Sequence, residues 1–283
     1  MIHGIDHVSF GSPDLAAMEA TCAEIGFVLT PYCEHQTTNA DGAVVPAGSA
    51  QRSIAFGDTY LELQTIVDAN RGHPLTDRIM GSTQVHLLVF GAADLVASVE
   101  GGLPGAPPLA WERPVLPGPD GPVARFLYSS LPGDENFPYL LGVVQQMTPE
   151  LMALPEYISH PNSARRVSGI TVVTDDMQAV AATLSAYMGR PVETSPSLGL
   201  QVRTAIDQVV WIVDRRAFKA VHPQLSAGLG IAVVSIEVAE LAPVEKLLSR
   251  SQLSHHKTCG RLVVDARQSL GASIEFHEQI QKG

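Results

Sequence analysis

Short apolar runs alternate with stretches of helical period along the whole chain. Ile5 to Phe10 is a brief apolar run that stops at Gly11-Ser12-Pro13-Asp14. Leu15 to Ile25 then carries apolar residues at helical spacing, with Ser12 or Asp14 placed to cap it and Gly26 to close it. Phe27-Val28-Leu29-Thr30, Arg52-Ser53-Ile54-Ala55-Phe56 and Tyr60-Leu61-Glu62-Leu63-Gln64 read as strands. The predicted order is βαβββ.

That order recurs three more times. A second copy starts at Val85-His86-Leu87-Leu88-Val89-Phe90, enters a helix near Asp94 and ends on Leu140-Leu141-Gly142-Val143-Val144. A third runs from Val167 to Val173, through a helix after Asp175-Asp176, to Val209-Val210-Trp211-Ile212-Val213. A fourth runs from Ile231 to Ile236, through a helix near Leu241 to Arg250, to Ser273-Ile274-Glu275-Phe276. Aligning first strands sets Leu87, Gly169 and Val233 opposite His7, and aligning last strands sets Leu141, Trp211 and Glu275 opposite Glu62. The separations within these pairs are 55, 54, 42 and 42 residues, two long modules and then two short ones. We expect an α+β fold of four βαβββ modules in two cup-shaped domains, residues 1–147 and 167–283, joined by a connector at 148–166 that holds Pro149, Pro155 and Pro161.

Strand side chains alternate faces, so His7 and Ser9 share one face, as do Tyr60, Glu62 and Gln64. The apolar faces suit packing under a helix, which leaves these polar groups on the hollow side. Gly4-Ile5-Asp6-His7-Val8-Ser9-Phe10, Ser12-Pro13-Asp14-Leu15 and Gly57-Asp58-Thr59-Tyr60-Leu61-Glu62-Leu63 resemble the vicinal oxygen chelate superfamily. Within it the chain is similar to the glyoxalase-like domain family, whose His-Pro-Asn-Gly-Ala segment is matched by His160-Pro161-Asn162-Ser163-Ala164. The resemblance implies that the first and last strands of a module are neighbours, so that His7 and Glu62 lie side by side.

An imidazole and a carboxylate converging in a cup suit a divalent metal ion such as Fe, Mn, Ni or Zn. His86 is the best third ligand, completing a triad of His7, Glu62 and His86. It precedes the position opposite His7 by one residue, and a shift by one reverses the face of a strand. A rival arrangement would bring Glu275 to His7 and Glu62 if modules one and four paired. Glu62, Tyr60 and His35 are the candidate catalytic groups, with Glu62 as general base where no metal is held. His160, Arg165 (with Arg166) and Trp211 are candidates for contact with substrate. The doublet His255-His256 reads as the polar end of a helix. The leading reading is a metal-dependent lyase, isomerase or dioxygenase acting on a small organic substrate. The competing reading is a non-catalytic protein that sequesters a small molecule in the same cup without metal.

Composition narrows the partners. The chain has 283 residues, 45% hydrophobic and 17% charged, enough apolar material for a substantial core. Eighteen Lys and Arg against twenty-nine Asp and Glu give −11, the wrong sign for a nucleic-acid surface. No apolar run approaches the length of a membrane span, and the start lacks a secretory pattern, so a cytoplasmic protein is expected. Cys22, Cys33 and Cys259 make neither a CxxC pair nor a disulfide framework. Gly118-Pro119-Asp120-Gly121-Pro122 is a turn that opens no helix, so it is no phosphate cradle. Cups of the resembled kind are often completed at dimer interfaces, and a homodimer is a candidate assembly.

Overall fold

A computed structural model describes residues 1–38, 41–116, 121–133, 137, 139–195, 199–226 and 228–279. The turn foreseen at Gly118-Pro119-Asp120 lies outside the described residues. In the first half the elements are β1 (Ile2–Gly11), α1 (Leu15–Ile25), β2 (Cys33–Thr38), β3 (Val44–Ala55), β4 (Tyr60–Ile66), α2 (Thr76–Gly81), β5 (Gln84–Ala92), α3 (Leu95–Glu100), β6 (Leu109–Pro114), β7 (Val123–Leu131) and β8 (Leu140–Gln146). After α4 (Pro155–Ile158) the second half holds β9 (Ala164–Val173), α5 (Met177–Met188), β10 (Val192–Ser195), β11 (Gly199–Arg203), β12 (Val209–Val213), α6 (Arg215–Val221), β13 (Gly230–Val238), α7 (Leu241–Leu248), β14 (His255–Thr258), β15 (Arg261–Val264), α8 (Arg267–Leu270) and β16 (Ser273–Glu278).

The strands form two eight-stranded sheets of the same plan, β2-β3-β4-β1-β5-β8-β7-β6 and β10-β11-β12-β9-β13-β16-β15-β14. Each is two βαβββ modules joined through antiparallel first strands, β1 to β5 and β9 to β13, with first and last strands of every module parallel. Module one therefore pairs with module two, and the rival pairing of modules one and four does not occur. The sequence reading misplaced one strand. Phe27 to Thr30 is irregular and the second strand is Cys33–Thr38, a polar edge segment without the alternation that marks a half-buried strand. His255 and His256 begin β14 rather than end a helix.

Helices α1, α3, α5, α7 and α8 pack into the core between the sheets, whereas α6 borders the hollow of the second sheet. One apolar core takes Val8, Phe10, Leu61 and Leu63 from the first sheet, Ile170, Val172, Val210 and Ile212 from the second, and Met18, Cys22, Val180 and Leu184 from α1 and α5. Asp14, Asp94 and Asp176 cap α1, α3 and α5 through the amides of Ala17, Ala97 and Ala179, the same device at the same module position. Gln208 clasps the two halves: its Oε1 accepts from Ile5 N (2.5 Å), and its Nε2 donates to the carbonyls of Ile5 (3.0 Å) and Val167 (2.9 Å).

An irregularity in the central strands is shared by all four modules. His7 pairs with Val89 but Ile5 with Phe90, so Asp6 is an extra residue on β1. Ser9 pairs with Leu87 but Phe10 with Val85, so His86 is the extra residue on β5. Ser168 on β9 and Ala232 on β13 stand out in the same way. Such bulges re-aim side chains, and here they do so one residue before each position aligned with His7.

Candidate functional site

The first sheet closes on itself, its edge strands β2 and β6 coming into contact. The hollow carries polar side chains from seven strands, beginning with His7 and Ser9 of β1 and Tyr60 and Glu62 of β4. Register pairs His7 with Tyr60 and Ser9 with Glu62, so His7 and Glu62 sit on one face as diagonal neighbours rather than side by side. His7 stacks on Tyr60 at 4.3 Å between ring centres. Its Nδ1 lies 2.7 Å from Oδ1 of Asp6, which the bulge turns toward it, and Gln146 Nε2 donates to both Asp6 oxygens at 3.3 Å.

Glu62 is the centre of the cluster and is 8% exposed. Ser9 Oγ donates to its Oε2 at 2.5 Å, and His35 Nε2 lies 3.6 Å from its Oε1. Gln51 of β3, with its amide turned to satisfy its neighbours, donates to Glu62 and accepts from Arg113 Nη1 (2.8 Å) and Nε (3.2 Å). Burial opposes ionisation of Glu62, yet the bond to His35, the charges of His7 and His35 and the Ser9 hydroxyl together outweigh it. The carboxyl is held well below the ordinary carboxylate range.

The bulge at His86 resolves the one-residue offset. Its ring lies over Gly11, where an added Cβ would come within 2.7 Å of His86 Cδ2, and its Nε2 is 3.1 Å from Ser9 Oγ. Burial lowers the His86 pKa to about 4, only partly opposed by Glu62, so the ring is neutral at pH 7. The single Ser9 proton goes to Glu62, so Ser9 accepts from His86 Nε2–H. The resulting chain runs His86 to Ser9 to Glu62, and His86 Nδ1 is left as a buried lone pair without a partner.

The three expected metal ligands thus share a face without converging on a point. His7 and Glu62 are an imidazole and a carboxylate on one face of neighbouring strands. His86 does not join them, because its nitrogen nearest the carboxylate is occupied by Ser9 and the other is turned away. Among the described residues no three His, Cys, Asp or Glu side chains form a group that could hold a metal ion.

Tyr60 and His35 lie in the cluster, as expected. Burial first, then the negative charges of Asp6 and Glu62, push the Tyr60 phenol well above its ordinary value. Sequence reasoning missed Asp6, Gln51 and Arg113. Gln51 had a visible signal, being flanked at period two by Ser49 and Ser53, all three fully buried. Arg113 had none, since its strand reads as a polar edge, yet it is buried and its guanidinium carbon is 5.9 Å from the Tyr60 ring centre. A cavity of about 290 Å³ reaches this end of the cup between Asp6, Tyr60, Gln146 and Met152.

The other candidates lie elsewhere. His160 accepts from Val28 N at Nδ1 (3.0 Å) and donates to the Ala55 carbonyl at Nε2 (2.8 Å), packed edge-on against Phe27 and Phe56. Both nitrogens are used, so it is a structural clamp and not a pocket group. Asn162 extends the clamp by donating to the carbonyl of Ile25 at the end of α1, and Ser163 takes φ 58°, the conformation that explains glycine in the family segment. Arg165 is exposed, while alternation along β9 turns Arg166 into the second sheet's hollow. Trp211 lines that second hollow. Glu275 lies there too, bound to Arg261 Nη1 at 2.6 Å, and is no partner of His7. Gln145 caps α3 through the amide of Leu95.

The glyoxalase-like domain profile matches residues 5–188. No curated protein matches the chain. Among solved structures, a hypothetical protein from Staphylococcus aureus aligns over 97% of this chain and 99% of its own, with TM-score 0.65 and 10% identity. A mutant of 4-hydroxymandelate synthase from Streptomyces coelicolor aligns over 98% and 93%, with TM-score 0.56 and 13% identity. A catechol 2,3-dioxygenase aligns over 98% and 88%, with TM-score 0.58 and 11% identity. At such identities the likeness is one of fold.

Proposed function

Because the chain belongs to the glyoxalase-like domain family, we propose that its first cup is the active site of a lyase or isomerase acting on a small substrate with adjacent oxygens. The observation that carries this reading is the buried, ionised Glu62 inside a ring of imidazole, hydroxyl and guanidinium groups. A carboxylate with so low a pKa is a poor base in the resting cup. His35 stands on edge strand β2, and a substrate that displaces it removes both the bond and part of the charge that hold the pKa down. Burial then dominates and raises the pKa, so Glu62 takes a proton from the carbon beside the substrate carbonyl.

Tyr60 keeps its own proton at all ordinary pH and donates to the oxyanion that develops, with Arg113 adding positive potential behind it. His7 is oriented by Asp6 and stacked on Tyr60, which fixes its ring on the face that carries Glu62. Return of the proton to the carbonyl carbon, as the hydroxyl proton passes to the former carbonyl oxygen, gives an isomer, and departure of a group with its bonding electrons from the carbon on the other side of the carbanion gives elimination.

A second reading places a divalent ion on His7 and Glu62. The Asp6 bond supports it, since a carboxylate on Nδ1–H leaves Nε2 as the ligating nitrogen. The ion would supply Lewis-acid polarisation of the two substrate oxygens.

The test is exchange of α-protons in D2O, followed by NMR over a panel of 2-hydroxy ketones, 2-oxo acids and 1,2-diketones. Exchange above buffer with at least one class, slowed 100-fold or more in Glu62→Gln, is expected. No exchange across the panel, or equal exchange in the variant, would overturn the proposal. Chelator dialysis separates the two readings: activity retained at no metal content supports proton transfer alone, and activity lost and restored by an ion supports the second.

A further inference from the structure

The second sheet carries an open hollow. A cavity of about 1030 Å³ is lined by Arg166, Arg203, Arg261, Trp211, Ser168 and His277. It adjoins another of about 370 Å³ lined by Val213, Ala217, Phe218 and Val221, and Trp211 and Arg261 border both. One chamber carries three arginines against Asp207 and Glu237, the other is mainly apolar with His222 and Glu275 at its edge, and an aromatic ring and a guanidinium stand where they meet.

The three arginines are in different states. Arg261 is tied to Glu275, and Arg203 lies 3.6 Å from Glu193 and 3.5 Å from Asp207. Arg166 has no carboxylate partner among the described residues, Glu237 in register opposite it on β13 included. Its Nη2 donates to the carbonyl of Ile206 at 2.9 Å, which fixes the side chain, while its Nε is buried and unpaired. A guanidinium fixed in place at the wall of a cavity, with Nη1 unpartnered and no carboxylate beside it among the described residues, suits an anion. A carboxylate pairs with the guanidinium through two parallel bonds, and a flat apolar body attached to it would lie on Trp211 and reach the Phe218 chamber.

The same positions explain why the space exists. Gly169 replaces His7, and an added Cβ there would meet the Val209 carbonyl oxygen at 2.3 Å, so β9 offers the hollow no side chain at that point. The floor is open where the first cup is filled.

We propose that the second cup is a binding site for a small amphipathic carboxylate, its anion on Arg166 and its aromatic or branched apolar body on Trp211. The site is separate from the cluster around Glu62.

The experiment is calorimetric titration of the full chain with 2-naphthoate, and with 2-naphthalenemethanol as the uncharged counterpart. Saturable binding of one naphthoate per chain is expected, at least 10-fold tighter than the alcohol. Arg166→Gln and Trp211→Ala should each weaken it 10-fold or more, while Arg165→Gln, altered on the exposed face, should leave it as in the parent. Quenching of Trp211 emission in Trp111→Phe gives a readout that needs no change in the site. No saturable binding at millimolar naphthoate, equal affinity for the alcohol, or binding indifferent to both site variants in folded protein would each overturn the proposal.

Discussion

In the first cup His7 and Ser9 face Tyr60 and Glu62 across neighbouring strands. In the third module the same four positions hold Gly169, Thr171, Val209 and Trp211, and in the fourth they hold Val233, Ser235, Ser273 and Glu275. The backbone plan, the pairing of first strands and the bulges are common to both sheets, so the fold does not choose the chemistry. Side-chain volume and charge at a few inward positions do. Glu62 and Glu275 show this most sharply. Both accept a serine hydroxyl from the adjacent strand, but Glu275 is neutralised by Arg261, whereas Glu62 is held by groups that a substrate can displace. One cup concentrates buried titratable groups, and the other has an open cavity and a spare cation.

Four experiments would break or sharpen that contrast. Gln208→Ala should have the largest effect, because it strands the Ile5 amide and two buried carbonyls between the sheets. A loss of about 4 kcal/mol in urea unfolding is expected, with both halves melting together. A loss confined to one half would show that the sheets are independent.

The next is pH dependence. His86 is neutral in the fold at a pKa of about 4, against 6.5 when unfolded. Its contribution is therefore fully present above pH 6.5 and is lost as pH falls toward 4, up to about 3 kcal/mol. Stability curves of the parent and His86→Gln should converge over that window as pH drops, and parallel curves would contradict the assignment. Gly169→Ala should cost about 2 kcal/mol by forcing a Cβ against Val209, and an unchanged denaturation midpoint would remove the steric account of the open floor. Ser163→Gly should be the smallest, a change within about 0.5 kcal/mol, because relief of a left-handed serine is offset by loss of its hydroxyl bonds to the Glu240 backbone; a larger shift in thermal midpoint would contradict this.

Much of the architecture was legible because module strands and helices keep their own periods. The repeat set Leu87, Gly169 and Val233 opposite His7, and the bulges agree; in module two, however, Leu87 pairs with Leu140, so Gly142 and not Leu141 stands where Glu62 does, and Leu141 faces the core. The strand Cys33–Thr38 was not legible, since an edge segment of polar residues has no apolar face to betray it. The position of His86 was not legible either. Alternation alone turns it away from the cup, and only a bulge, which leaves no mark in hydrophobic patterning, brings it beside Ser9. His160 looked chemical because histidine is reactive, but tertiary hydrogen bonds to two backbone groups give it a different occupation. Arg113 acquires its place only through closure of β6 onto β2, a contact between segments far apart in sequence.

The state of the Glu62 carboxyl is the point on which the contrast turns. In protein carrying ¹³C-labelled glutamate, the Glu62 side-chain resonance, assigned by its loss in Glu62→Gln, should still report a carboxylate at pH 4, below the ordinary value of 4.5. A resonance half or more protonated at that pH would mean that burial has already won in the resting cup, and that His35, His7 and Ser9 do not hold the charge.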